Sequence, residues 1–100
     1  MRTVAMDMRT MIRAATGGMR PMPSNWNYIQ RLLRKVDPDL SGHFNLGILA
    51  AHGGSLDEVR RHAENCKCLI ERKYGTAEWR DLLRTAAYAP TKSAQERELQ

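Results

Sequence analysis

No apolar run in this chain approaches the ~18–20 residues that a bilayer-spanning helix requires. Its first residues also lack the roughly 7–15-residue apolar segment of a secretory signal. Membrane contact is therefore not expected, and the cytoplasm is the default location. Cysteine is scarce, with Cys66 and Cys68 the whole complement. Residues two apart on a helix lie about 200° apart around its axis, so helical placement excludes a disulfide between them. Their spacing also misses the Cys-x-x-Cys of redox and zinc motifs, and both are expected to be free thiols in a reducing compartment. The alternation of period two that marks strands is absent, as are internal repeats and low-complexity tracts. There is no Gly-rich phosphate loop, no nucleophile elbow and no recognisable pair of carboxylates. A small helical domain leaves little room for a pocket of about 300–1,000 Å³. No catalysis, small-molecule substrate or cofactor is expected.

What is present fits one domain. The length of 100 residues allows a real core without staples. With 42% hydrophobic and 27% charged residues, the chain lies in the ordinary globular range, which argues against disorder along its whole length. The net charge is +5, and arginine supplies most of the cations. Arginine's planar fork suits phosphate and carboxylate recognition, which points to an acidic partner. Codon bias in a GC-rich genome gives the same preference with no function attached.

Period 3.6 recurs, so the expected fold is all-α, a small bundle of about five helices. A single domain over 1–100 divides into a cationic amphipathic helix (1–16), a Gly/Pro linker (17–23), a helical core (24–89) and a tail (90–100). In the first helix Val4, Met8, Met11 and Ala15 share a stripe with Ile12 beside it, and Arg2, Arg9 and Arg13 form another. A mitochondrial transit peptide would share that pattern, but Asp7 and the lack of serine oppose it. The second helix is expected to start from Ser24 as N-cap and to bury Trp26, Ile29, Leu32, Leu33 and Val36. Its other face carries Asn27, Gln30, Arg31, Arg34 and Lys35. Asp37 and Pro38 end it and cap a short turn.

The third segment, His43–His52, is apolar on nearly every side and belongs in the middle of a bundle. Gly53 and Gly54 stop it in a left-handed conformation. Ser55 and Glu58 spell a capping box for a fourth helix of about 30 Å. Its stripe is Leu56, Val59, Ala63, Cys66, Ile70 and Tyr74, with pairs Asp57–Arg61, Arg60–Glu64 and Lys67–Glu71 on the surface. Gly75 ends it, and Thr76 caps a fifth helix that buries Trp79, Leu82, Leu83 and Ala86. In the tail, Ser93–Glu96 could form one short capped turn.

The third and fourth segments have the order of a helix-turn-helix. The pattern fits poorly: with Gly54 as the turn glycine, Ala50 and Val59 suit their positions and Arg60 does not. Asp57 and Glu58 would face phosphates at the start of the reading helix. A metal site at His62 and Cys66 lacks a third ligand, since nothing in the spacing brings His43 or His52 to them. The simpler reading makes Cys66 a small buried residue and His62 a surface group pairing with Glu58. Met8 and Met11 read as core; Met19 and Met22 read as contact candidates.

Binding remains. Two surfaces stand out: Asn27, Arg31, Arg34 and Lys35 on the second helix, and Arg60, Arg61 and Lys67 on the fourth. The N-terminal arginine stripe is a third, and each has an ordinary solvated face as its bland reading. This profile, short, motif-poor and helical, resembles small phage- or mobile-element-encoded inhibitors such as anti-CRISPR proteins. No motif carries the resemblance, so it transfers no functional residue. Many anti-CRISPR proteins are acidic DNA mimics, and a chain of +5 departs from that. The resemblance implies the other mode, a protein wedged onto a subunit of a host nucleoprotein complex that blocks nucleic-acid access. The expected function is thus a non-enzymatic inhibitor or adaptor docking on an acidic protein surface. Direct DNA binding by a basic regulator is the alternative.

Overall fold

Capping side chains mark the starts of the first three helices. In a computed structural model, which describes residues 3–20 and 25–88, the chain forms five helices. They are α1 (Val4–Thr16), α2 (Trp26–Val36), α3 (Pro38–His52), α4 (Leu56–Lys73) and α5 (Thr76–Tyr88). There is no strand among the described residues. The expected all-α bundle of about five helices is what forms. The expected turn at Ser93–Glu96 lies outside the described residues.

Thr3 opens α1, its hydroxyl accepting the Met6 amide at 3.2 Å. Gly17 closes it at φ 62°, a left-handed conformation that glycine adopts without steric cost. The cap of α2 is Asn25, not Ser24: the Asn25 Oδ1 accepts the amides of Asn27 at 2.9 Å and Tyr28 at 3.4 Å. Ser24 itself lies outside the described residues.

Asp37 and Pro38 do more than cap a short turn. Asp37 ends α2 and is the N-cap of α3, which begins at Pro38, ahead of the expected His43. One Asp37 carboxylate oxygen accepts the amides of Asp39 at 3.0 Å and Leu40 at 3.2 Å. The other accepts the Tyr74 hydroxyl at 2.7 Å and the Lys73 ammonium at 3.1 Å. Burial opposes ionisation of Asp37, but the Tyr74, Leu40 and Lys73 donors outweigh it and hold the carboxyl below its usual range. The same bond raises the affinity of Lys73 and Tyr74 for their protons. Leu40 and Ser41, both buried, show why the helix gains from starting early.

At the α3–α4 turn only Gly54 is left-handed (φ 76°); Gly53 stays right-handed at φ −78°. The capping box does not close. Ser55 is the N-cap of α4, yet its side chain makes no cap bond. Its amide, which Glu58 would have to reach, already donates to the Ala50 carbonyl at 3.0 Å. Glu58 pairs with Arg61 instead, at 3.9 Å. None of the three expected i,i+4 pairs comes within ion-pair distance among the described residues, as is common for exposed charges that gain little by ordering. At the start of α5 it is the Gly75 carbonyl that accepts the Trp79 amide, at 2.9 Å, so Thr76 is already helical rather than a cap.

α3 is central, packing on α1, α2 and α4, while α5 rests mainly on α2. α1 is a full member of the core through Met11, Ile12, Ala14 and Ala15. It lies so close to α3 that a Cβ at Gly47 would run into the Met11 thioether. Its other end is tied by Trp79, whose buried indole donates to the Ala15 carbonyl at 2.7 Å. The Arg80 guanidinium donates to the Gly17 carbonyl beside it at 3.3 Å.

Four expectations about burial are corrected. Met19 is buried, because a turn bonding its amide to Thr16 folds it back onto the core; Met22 lies outside the described residues. Val4, in the first turn of α1, is exposed and Asp7 is buried, while Met11, Ile12 and Ala15 of the expected stripe do face the core. Leu82 is 42% exposed, since α5 leans chiefly on one neighbour and needs only the narrow stripe of Trp79, Leu83 and Ala86. Though central, α3 leaves Leu46 and Leu49 in solvent.

Candidate interaction surfaces

The α2 surface is the more sharply defined. Asn27, Arg31, Arg34 and Lys35 are all exposed along a helix of 11 residues, about 16 Å long. Gln30 turns partly inward, its Oε1 enclosed without a partner among the described residues. The helix contains no acidic residue, and none of Arg31, Arg34 or Lys35 forms an ion pair among the described residues. Arg34 and Lys35 lie in the last turn, where the helix dipole favours cations. The nearest acid in sequence, Asp37, is turned toward Lys73 and Tyr74. Tyr28, one turn from Arg31, is exposed and adds an aromatic edge.

The α4 residues are placed differently. Arg60, Arg61 and Lys67 are exposed, but Arg60, Glu64, Lys67 and Glu71 follow one another along a single face with alternating sign. Arg61 is engaged by Glu58. The field of this face is therefore small beyond a few ångströms. α2 and α4 have no packing contact with each other, so the two expected groups do not form one surface. The leading stripe keeps Arg9 and Arg13 exposed, with Arg2 outside the described residues.

Two open clefts flank α4. One, about 520 Å³, lies between α3 and α4 and is lined by Leu46, Leu49, Ala50, Gly53, Ser55, Glu58, Arg61 and His62. The other, about 340 Å³, is formed by Arg13, Ala14, Gly17, Gly18, Lys67, Ile70, Glu71 and Thr76. Lys67 thus belongs with α1 and α5 rather than with Arg61.

The histidine arrangement at the α3–α4 seam is not legible in residue spacing. His43 and His62 come together with ring centroids 6.2 Å apart, although nothing in their spacing brings them together. Each Nδ1 is enclosed without a partner among the described residues, and His62 makes no hydrogen bond to Glu58. Burial lowers the proton affinity of His62; Arg61 and His43 lower it further, and Glu58 opposes them. No group of three or more His, Cys, Asp or Glu among the described residues could hold a metal ion. Cys66 is buried and its thiol is pushed up to about 12 by burial, which leaves it protonated and inert. Cys68 is exposed, with its thiol 3.8 Å from a Glu64 carboxylate oxygen.

Comparison with known protein families, curated proteins and solved structures finds no match to this chain. No helix among the described residues is long and apolar enough to cross a membrane.

Proposed function

We propose that this protein is a non-enzymatic interaction module that docks the outer face of α2 on an acidic protein surface, acting as an inhibitor or adaptor of a nucleoprotein complex. The observation that supports this is the contrast between its two arginine-bearing helices. Arg31, Arg34 and Lys35 are exposed, share one short helix and pair with no acid among the described residues. The cations of α4 alternate with acids or pair with them. Unpaired cations set the long-range field that steers association, and Arg and Tyr are over-represented among the residues that dominate interface energies.

Direct DNA binding is the alternative reading, and two features oppose it. The exposed Asp57 and Glu58 open the helix that would read a groove. Three cations on about 16 Å of helix fall short of the roughly 6–10 phosphate contacts of strong duplex binders.

The test has two arms. Anisotropy titration with a generic 20-base-pair duplex at two salt concentrations should give no binding tighter than about 10 μM. Submicromolar binding that collapses with salt would transfer the assignment to DNA. Pull-downs with the wild type, an Arg31→Gln/Arg34→Gln/Lys35→Gln variant and Arg60→Ala should lose the partner only for the α2 triple variant. A partner held equally well by all three would sink the α2 reading.

A further inference from the structure

The most unusual exposed surface lies on α3. From Leu40 to Leu56 the sequence holds no Asp, Glu, Lys or Arg. Gly42, Leu46, Leu49 and Gly53 are nevertheless exposed, with Leu46 at 49% and Leu49 at 59%. At 100° per residue these four positions fall within about 60° of one another, so they form a single strip along the helix. His43 and His52 border it on either side. The strip is also symmetric in sequence. Gly42 and Gly53, His43 and His52, and Leu46 and Leu49 are each equidistant from the midpoint between Gly47 and Ile48.

We propose that this strip is a homodimer interface, in which α3 packs antiparallel against α3 of a second copy. A two-fold axis at the strip's midpoint sets Leu46 of one copy against Leu49 of the other, and each terminal glycine against its counterpart. An isologous contact requires such self-complementarity. Gly42 supports it independently. It sits within a helix, where glycine costs about 1 kcal/mol relative to alanine, yet a Cβ there would meet nothing within 4 Å. The fold has no use for the missing side chain, whereas a helix approaching from outside does.

Charge points to a second copy as the occupant. Two chains of +5 repel least where neither bears a charge, and this strip lies in the longest uncharged stretch of the sequence. Its border on α4 carries Glu58 and Arg61 side by side, 3.9 Å apart. Opposed across a two-fold axis, such a border can place each copy's acid against the other's base. The outer face of α2 is not part of the strip, so the inference stands independently of the docking proposal.

Sedimentation of the full chain from about 10 μM to about 1 mM tests this. The expected result is a reversible dimer that Leu49→Glu weakens by at least about tenfold, with helical circular dichroism unchanged. Gly42→Leu, at a site with room in the protomer, weakens it as well, while the α2 triple variant does not. For register, Leu46→Cys and Leu49→Cys chains in a Cys68→Ser background should cross-link to each other faster than either does to itself. A monomer across the whole range, a dimer indifferent to both strip variants, or preferential self-cross-linking at either position overturns the proposal.

Discussion

The cluster around Asp37 and the outer face of α2 are built from the same kinds of groups and put them to opposite uses. Asp37 is buried and fully engaged: it caps α3, receives Tyr74 and Lys73, and joins the end of α2 to the end of α4. Arg31, Arg34 and Lys35 begin one turn away in sequence and engage nothing charged among the described residues. Charges that the fold consumes should register in stability and be invisible to a partner. Charges that it leaves over should do the reverse.

That contrast can be broken most directly at Asp37. Asp37→Ala removes a cap and leaves the Tyr74 hydroxyl without its acceptor, while the exposed Lys73 keeps Asp39 at 3.5 Å, so urea unfolding should show a loss of about 2 kcal/mol. A loss below about 1 kcal/mol would mean the cluster is incidental. The next effect is a pH dependence with two components. His62 is held below its ordinary value of 6.5, so the folded state takes its proton less readily than the unfolded chain. Its contribution is intact above 6.5 and is lost as pH falls through the lowered folded value. Asp37 is held below 3.8, so its contribution is intact above that value and disappears only in stronger acid. Stability measured from about pH 8 to pH 3 should fall in these two stages, and His62→Asn should remove the first.

A smaller effect separates caps that bond from caps that only occupy the position. Asn25→Ala should cost about 1 kcal/mol, whereas Ser55→Ala, which removes no hydrogen bond, should cost less than about 0.5 kcal/mol. The smallest expected change belongs to the α2 triple variant, within about 0.5 kcal/mol of the wild type in urea. A larger loss would show that the face helps hold the fold.

The helices were legible in the sequence because period 3.6 reports burial directly, and Ile29, Leu33, Val59, Ala63, Cys66 and Ile70 are buried as their spacing indicates. The Asn27, Arg31, Arg34 and Lys35 face is equally local and was found exposed. What the sequence hid depends on neighbours from elsewhere in the chain. Asp37 looked like a helix stop because its partners, Lys73 and Tyr74, lie two helices further along the chain. The Ser55–Glu58 box failed because Ala50 had already claimed the amide it needs. His43 and His62 meet only because α3 and α4 pack side by side, and the exposure of Leu46 and Leu49 depends on where the other helices stop covering α3. Spacing within one segment carries none of that information.

The bond from Trp79 to the Ala15 carbonyl has a consequence for synthesis. Ala15 leaves the ribosome well before its partner, and the indole that satisfies its carbonyl is added 64 residues later. At about 5–20 residues per second, that interval is about 3–13 s. Throughout it, α1 presents Met11, Ile12 and Ala15 with no α5 to lock them. Of the five helices, α1 is thus completed by α5, and a nascent chain that has not yet reached Trp79 holds an unfinished core.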